Sequence, residues 1–576
     1  MKIVLSALNS KFVHTSLALR SITAYTKKYG REVEISEYTI NNEPEKVVAD
    51  LYIKNADIYG FSLYVFNKEE TLSVISDLKK LRPDAIIFCG GPEASESCEK
   101  LLREYPSIDF LIRGEGEKAD LLFFEAAENA GCDLEKIKEA KPLSMSYFLN
   151  GKYVETERVP LIENLDDIPF PYTHEELCGL KERILYYEGS RGCPFSCSYC
   201  MSSLDKKVRV FSVERVKRDI DEFLSAEVRL VKFVDRTFNF DKKRTYDLLS
   251  YIMEKDNGIT EFHFEISLWL LDDKTVSLLQ NAREGLFRFE IGIQTGNKKT
   301  LEAINRKADV FDYSDIFEKL RKTKVHLHTD LIAGLPYENM ESFLVSLDRA
   351  YLLGGDCLQL GFLKVLHGTE ISTRPEFEIT TTDRAPYEIL KTKWLSYGDI
   401  LTLKKAENIL EILYNGGLMK NAFDYAVREI FSGKVSSLLL FLSKKSDETG
   451  FFAAPRKPRD IFAFFAGCFS RKDYPELFEK LAFDYFTADL YSGEETFLPT
   501  LPDMKKAQAL LHFPEEITNS LDKNAAELFR KKEPKKWLRN TKVVRISGKD
   551  TVFFHLPRAV SFEIDRDLEE KMNSLT

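Results

Sequence analysis

The stretch "ILYYEGSRGCPFSCSYC", residues 184–200, decides the fold. Its first part, "ILYYEGS", predicts a short β-strand. Cys193, Cys197 and Cys200 follow at once, three of the chain's nine cysteines within eight residues, spaced C-x3-C-x2-C. Thiolates bind iron–sulfur clusters and zinc. Spacings of three and two let all three sulfurs converge from one loop onto one face of a cuboidal cluster. Three ligands on four irons leave one iron open for a substrate or cofactor, as a catalytic zinc site keeps an open position. The alternative is three incidental thiols. The placement after a strand, with Gly192, Pro194 and Tyr199 in the loop, favours the cluster.

Downstream the strand is the first of six. "VRLVKFVD", "EFHFEIS", "FRFEIGIQT", "VHLHTDLIAG" and "CLQLGFLKV" repeat the pattern, with helical segments such as "SVERVKRDIDEFLSA" and "YSDIFEKLRKT" between them. Six β/α units predict a (β/α)6 partial barrel over 181–375, with its chemistry at the carboxyl ends of the strands. The cysteine loop falls on that face. So does "KFVDRTFNF", which predicts that Asp235 faces the same enclosed space.

Upstream, residues 1–130 alternate strand and helix: "KIVLSAL", "EVEISEY", "DIYGFSLY", "AIIFCGG" and "DFLIRGE" are the strands. They predict a doubly wound, five-stranded parallel sheet with its ligand beyond the carboxyl ends. Those ends carry Asn9, Tyr64, Gly90-Gly91-Pro92-Glu93 and Arg113-Gly114-Glu115-Gly116-Glu117. Residues 131–180 have acidic and proline residues and little periodicity, which predicts a linker. Beyond about 376 the pattern turns mainly helical, with "IFAFFAGCF" a buried helix. A small β element closes the chain, a hairpin turning at Gly548-Lys549-Asp550.

Bulk numbers bound the rest. A chain of 576 residues is too long for one core and predicts three or four domains. A net charge of −10 lacks the basic surplus of a non-specific nucleic-acid binder, so no nucleic-acid partner is expected. No apolar stretch of about 18 residues is present, and the short apolar run at the start is not that of a signal peptide. The expected location is the cytoplasm, with no membrane association. An odd, mostly dispersed cysteine set predicts reduced thiols or a metal site rather than a disulfide framework.

"GCPFSCSYC" resembles the signature of the radical S-adenosylmethionine (SAM) enzymes. The resemblance implies a [4Fe–4S] cluster on Cys193, Cys197 and Cys200, with SAM chelating the open iron. Reduction of that cluster would break the sulfonium C–S bond and give a 5′-deoxyadenosyl radical. It further implies that Met201 to Ser203 meet the methionyl amino group and that Glu265 and Gln294 contact SAM from strand ends. Arg306 would pair with the methionyl carboxylate, and Asp330 would accept from the ribose hydroxyls.

Residues 1–125, with "GFSLYVFNKEET", "GGPE" and "RGEGE", resemble the cobalamin-binding domain fused to one large radical SAM subfamily. Tyr64, Phe66 and Asn67 would lie under the corrin. Gly90, Gly91 and Glu93 would flank its nucleotide tail, with Gly114 and Glu115 as further cobalamin contacts. The Asp-x-His-x-x-Gly motif that supplies a lower cobalt ligand is missing, so His14 is read as structural. Methylthiotransferases form a rival, but Cys89, Cys98 and Cys132 lie too late for their second cluster. The last ~200 residues resemble a tail of an uncharacterised branch of the subfamily.

The expected activity is cobalamin-dependent methylation of an unactivated carbon in a small molecule or peptide, fed by an external one-electron reductant of flavodoxin or ferredoxin type. Radical rearrangement or C–C bond formation is the alternative within the subfamily. A non-catalytic tetrapyrrole carrier or sensor is the alternative outside it.

Overall fold

The computed structural model describes residues 1–306, 308–490, 496–498, 502–521, 541–547, 549–555 and 559–573. By contact density the chain forms two compact units. The larger holds Met1–Asp356 with Leu360–Ile400, and the smaller holds Cys357–Gln359 with Leu401–Thr576.

The larger unit opens with β1 (Ile3–Asn9), β2 (Glu34–Thr39), β3 (Ile58–Ser62), β4 (Ile86–Gly90) and β5 (Phe110–Ile112), in the order β2-β1-β3-β4-β5. All four pairings among them are parallel. Helices on both faces bury the strands outright: every residue of β1 and β3 is buried. Chain order reverses between β1 and β3, the topological switch where an open α/β sheet leaves a crevice for a ligand.

Residues 131–180, expected to be a linker, carry structure. A helix, Leu134–Ala140, starts on the side chain of Asp133. A hairpin of β6 (Met145–Leu149) and β7 (Lys152–Glu155) then pairs antiparallel to β5 and widens the sheet to seven strands. Its turn is Asn150-Gly151, both at positive φ (50° and 75°), the two-residue turn whose twist suits a hairpin. A further helix, His174–Leu180, begins with a capping box between Thr173 and Glu176.

The second sheet starts at β8 (Ile184–Tyr187). A two-residue ribbon, β9 (Ser190–Arg191) with β10 (Arg209–Val210), brackets the cysteine loop. The sheet continues with β11 (Leu230–Phe233), β12 (Glu261–Ile266), β13 (Phe287–Gln294), β14 (His326–Ala333) and β15 (Cys357–Phe362). The six lie in sequential order from β8 to β15. Pairing from β8 through β14 is parallel. One face is apolar and packs under helices, as in the edge-to-face pairs of Tyr187 with Phe223 (5.7 Å) and with Phe233 (5.0 Å). The other face is polar and half-buried, the lumen of an open barrel.

Past β15 the chain forms a second short ribbon, β16 (Thr380–Thr381) with β17 (Ile389–Lys391). The smaller unit is helical, with helices such as Val435–Thr449, Pro458–Gly467 and Pro475–Thr487. Ile461, Phe462, Phe465 and Ala466 of the Phe-rich helix are buried as expected. Its small sheet is antiparallel: β18 (Lys542–Ile546), β19 (Lys549–His555) and β20 (Ala559–Glu563). The β18–β19 turn is tighter than expected. Ile546 already pairs with Lys549 and Arg545 with Asp550, so Lys549 and Asp550 are strand residues. Gly548 lies outside the described residues.

Candidate functional site

The cysteine loop is built from its two ends. Asp235, just past β11, is buried and accepts from the Gly189 backbone N–H (2.7 Å) and the Ser190 hydroxyl (2.6 Å). Its carboxylate thus orders the strand exit instead of facing an open space. Burial raises its pKa, and these donors oppose the rise. Gly192 sits at φ +89°, and a Cβ there would run into the Lys207 carbonyl, so the turn needs glycine. Cys193 N–H then donates to Asp205 O (3.1 Å). Between Cys197 and Cys200, Ser198 N–H donates to Ile304 O and Ser198 O accepts from Ile371 N–H, each at 2.9 Å.

Cys193 and Cys197 are buried and Cys200 is half-buried. Burial raises the Cys197 thiol, while Arg306, whose Nη1 lies 4.0 Å from its sulfur, pulls it down. Met201 to Ser203 form a 3₁₀ turn, and the Ser203 hydroxyl donates to Cys200 O (2.6 Å). Among the described residues no three His, Cys, Asp or Glu side chains are gathered to hold a single metal ion. The donor chemistry, three thiols on one short loop beside an arginine, suits an iron–sulfur cluster.

The expected SAM residues gather next to this loop. Arg306 donates to Gly292 O through Nη2, and its guanidinium lies 5.2 Å from the Trp269 ring centre. Trp269 in turn meets Phe195 of the cysteine loop edge-on at 5.5 Å. Arg306 Nε and Gln294 Oε1 are buried with no hydrogen-bond partner among the described residues. Gln294 ends β13 at φ +69°, where a non-glycine residue is uncommon. Two unmet polar atoms beside a strained strand end mark a place shaped for a ligand. Glu265, at the end of β12, is pushed up to about 7 by burial, against the pull of Arg236 at 3.8 Å. Burial raises Asp330 as well, and His328 lies 3.2 Å from its carboxylate.

The expected cobalamin residues divide. Tyr64 and Phe66 stack at 5.5 Å with Phe66 43% exposed, an aromatic shelf open to a flat ligand. A Cβ added at Gly90 or at Gly114 would meet nothing within 4 Å, so space lies over both. Asn67 is otherwise engaged. Its amide donates to Leu8 O (3.0 Å) and Ser62 O (3.1 Å), and its oxygen accepts from Tyr64 N–H (2.8 Å). It shapes the shelf rather than lining it. Glu93 is bound to Lys68 (2.9 Å). Glu115 is ion-paired with Arg209 and with Arg191 (3.1 Å).

Those last pairs join the two sheets. Arg191 also holds Glu117 (2.5 Å) and Glu188 (2.8 Å). Burial lifts Glu188 to about 7 in spite of Arg191. The Tyr64 hydroxyl is raised by burial, with Arg236 and Glu188 among the charges acting on it. The shelf at the end of β3 and the exits of β8 and β11 therefore share one electrostatic environment. His14 is part of the same join, its Nδ1 2.7 Å from the Tyr186 hydroxyl of β8.

Several site-forming residues had no motif to announce them. Lys232 Nζ donates to Glu290 (2.8 Å), and His263 Nε2 lies 3.0 Å from the same carboxylate, all inside the lumen. Their signal is alternation, polar every second residue in "FHFE" and "FRFE", on strands that a two-faced parallel sheet would make apolar throughout. Cys89 is buried on β4 and Cys98 at the start of the helix Cys98–Glu104, both apart from the cysteine loop.

Residues 187–350 match the family model "Radical SAM superfamily" and residues 3–123 match "B12 binding domain". The chain therefore carries a radical SAM domain preceded by a B12-binding domain. Its cofactors are accordingly a [4Fe–4S] cluster, SAM and cobalamin. Residues 375–549 match "Protein of unknown function (DUF4080)". An uncharacterized methyltransferase of Pyrococcus horikoshii is 28% identical over 326 residues, 55% of this chain and 68% of that protein. The cobalamin-dependent radical SAM methyltransferase TokK of Streptomyces tokunonensis is 23% identical over 400 residues, 65% of this chain but only 55% of TokK. Among solved structures, the cobalamin-dependent radical enzyme OxsB, with aqua-cobalamin and SAM bound, superposes with a TM-score of 0.62 at 15% identity. That match covers 86% of this chain and 82% of OxsB and concerns the fold alone. No helix among the described residues is long and apolar enough to cross a membrane.

Proposed function

We propose that this radical SAM enzyme is a cobalamin-dependent methyltransferase acting on a small molecule or peptide and fed by an external one-electron reductant. The observation that carries the reading is the join between the two sheets. Arg191, two residues before Cys193, is paired with Glu115 and Glu117 at the exit of β5. These pairs bring the cysteine loop up to the carboxyl end of the first sheet, the edge that carries the aromatic shelf. Small-molecule chemistry is supported by the relatives, since one is named as a 2-(S-pantetheinyl)-carbapenam-3-carboxylate methyltransferase.

When bound, the cluster and SAM supply one-electron radical chemistry and cobalamin supplies a methyl carrier. The chain's own residues do the rest. Cys193, Cys197 and Cys200 would ligate the cluster, and Arg306 would receive the methionyl carboxylate on Nε, which has no partner among the described residues. Glu265, Gln294 and Asp330 offer acceptors along the strand ends, while Met201 and Ser203 present backbone just past the last thiol. Tyr64 and Phe66 give the corrin a flat apolar seat, with Gly90 and Gly114 leaving room and Gly91, Glu93 and Glu115 shaping its rim. Phe195, Trp269 and Tyr199 exclude water around the thiols.

The test is anaerobic turnover of the reconstituted, reduced full chain with methyl-labelled SAM and a low-molecular-mass cell extract. Label should appear in a small molecule, with S-adenosylhomocysteine and 5′-deoxyadenosine formed in similar amounts. Formation of 5′-deoxyadenosine alone, with cobalamin still bound, rejects methyl transfer and favours a radical rearrangement or bond-forming reaction.

A further inference from the structure

The segment that leaves β15 runs back over both halves of the site. Glu370 accepts from Asn305 Nδ2 (2.9 Å), one residue before Arg306, and Ile371 N–H donates to Ser198 O inside the cysteine loop. Further on, Tyr387 is stapled to the β15 exit by backbone bonds. Val365 N–H donates to Tyr387 O, and Ile389 N–H donates to Leu363 O, each at 3.1 Å. From that fixed position its side chain crosses to the first sheet. The Tyr387 hydroxyl donates to Glu93 Oε2 (2.7 Å) and accepts from Lys68 Nζ (2.6 Å). Lys68 and Glu93 close the triangle at 2.9 Å. Burial and Glu93 push the Tyr387 hydroxyl up to about 12, so it stays protonated and can donate.

The triangle sits on the edge read above as the cobalamin seat. Lys68 follows Asn67 directly behind the Tyr64–Phe66 shelf, and Glu93 follows the Gly90-Gly91 turn. That turn is pressed onto the shelf's root: Leu63 N–H donates to Gly90 O (2.8 Å), and a Cβ at Gly91 would come within 2.7 Å of Leu63 O. Glu93 and Tyr387 are 7% and 6% exposed. A desolvated ion pair is a weak stabiliser, and this one takes its third member from a segment almost 300 residues away. Stability alone gives little reason to hold such a pair there.

We propose that Tyr387 is a positioning residue for cobalamin: by orienting Glu93 and Lys68 from the post-barrel segment, it holds the seat closed around the bound corrin. The inference rests on the cobalamin reading of the first sheet. It also gives the start of the 375–549 region a task, because the segment that fixes the cysteine loop is the one that clasps the cobalamin edge.

The test measures release of hydroxocobalamin from the full chain by absorbance after dilution into a scavenging apoprotein. Tyr387→Phe keeps the ring and its contact with His367 (4.7 Å) and removes only the hydroxyl. Release should be about tenfold faster, the loss of a hydrogen bond to a charged group. Lys68→Met is the second variant, expected to act alike. The double variant should release no faster than the quicker single, because both break one triangle. A purely structural role would lower the melting temperature of the cobalamin-free chain and leave the release rate alone, and that result overturns the proposal. So do unchanged release in both singles and an additive double variant, while the cobalamin reading stands. If the wild-type chain binds no cobalamin, both fall.

Discussion

In the first sheet β1 and β3 are buried along their whole length, whereas β12, β13 and β14 bury only every second residue. β1 to β5 of the first sheet and β8 to β14 of the second pair in parallel, and both sheets carry helices, yet their chemistry is laid out differently. Helices cover both faces of the first sheet's central strands, where side chains such as Ser6 and Cys89 are buried, and the polar groups of its ligand edge stand at or beyond the strand ends: Asn9, Asn67, Glu93 and Glu115. The barrel keeps one face for a lumen. Its carboxylates, histidines and lysine stand within the strands themselves, with Glu265 abreast of Glu290 and Glu290 abreast of His328. A sheet with one open face can bring side chains around a ligand, while a sheet with none offers an edge.

The widest separation between the two should appear on changing Cys193, Cys197 and Cys200 together to Ala. Iron should fall from about four per chain to none, since on the proposed reading the three thiolates are the whole protein ligation of the cluster. Cobalamin, held at the other edge, should remain. Iron retained at full content ends the cluster assignment, and cobalamin lost together with iron shows that the two edges are not separate seats.

Next in size is the contrast between a covered strand and an open one. Phe61→Ala on β3, at 2% exposure, should cost about 3–5 kcal/mol in denaturant unfolding through lost transfer energy and a cavity. Glu290→Gln leaves Lys232 without its charge partner, but both side chains are 24% exposed, so the expected loss is about 1–3 kcal/mol. Acid should sharpen this. Glu290 is held well below the usual carboxylate range by His263 and Lys232 against its burial, so it stabilises the fold above its unfolded pKa. That contribution fades as pH falls below about 4.5 and should be missing from the pH profile of the variant. Equal losses for the two substitutions would mean that the lumen is a core like any other.

How much of this was legible depended on whether the signal was local. The cysteine spacing, the strand series and the glycine turns are short-range, and the fold followed from them. The Asn150-Gly151 hairpin was legible too, since Asn-Gly between "SYFL" and "KYVE" is a strong short-range hairpin signal. The acidic, proline-rich stretch downstream hid it by making the whole region look like a linker. Arg191, Arg209 and Tyr387 were not legible. Their roles exist only once Glu115, Glu117 and Glu93 arrive from another sheet, and no local pattern encodes a partner 74 to 294 residues away. Asn67 was singled out through the cobalamin-domain resemblance as a residue under the corrin, but its use as a loop staple depends on Leu8 of a different strand.

A smaller effect concerns the edge of the barrel alone. Arg306→Ala should weaken SAM binding by roughly 2–4 kcal/mol, because a bound carboxylate then loses its charge partner. Arg306→Lys should recover only part of this, since an ammonium cannot reproduce the two-pronged guanidinium contact. Equilibrium binding to the cluster-loaded chain measures both, and unchanged affinity in the alanine variant removes Arg306 from the site.

The smallest expected signal, a fraction of one proton, comes from Glu265. Burial pushes this carboxyl up to about 7. SAM brings a sulfonium cation, and a nearby positive charge favours the ionised carboxylate. Binding should therefore pull the pKa down and expel a proton wherever the empty site is still protonated. The sign follows: proton release is largest at or just below pH 7, shrinks as pH rises and Glu265 is already ionised, and vanishes above about pH 8. Calorimetric titrations at pH 6.5 in buffers of different ionisation enthalpy read the released proton directly. Glu265→Gln, which stays neutral throughout, should abolish the buffer dependence and make SAM affinity flat between pH 6 and 8. Proton uptake in place of release, or release that survives in the glutamine variant, would place the titrating group elsewhere in the lumen.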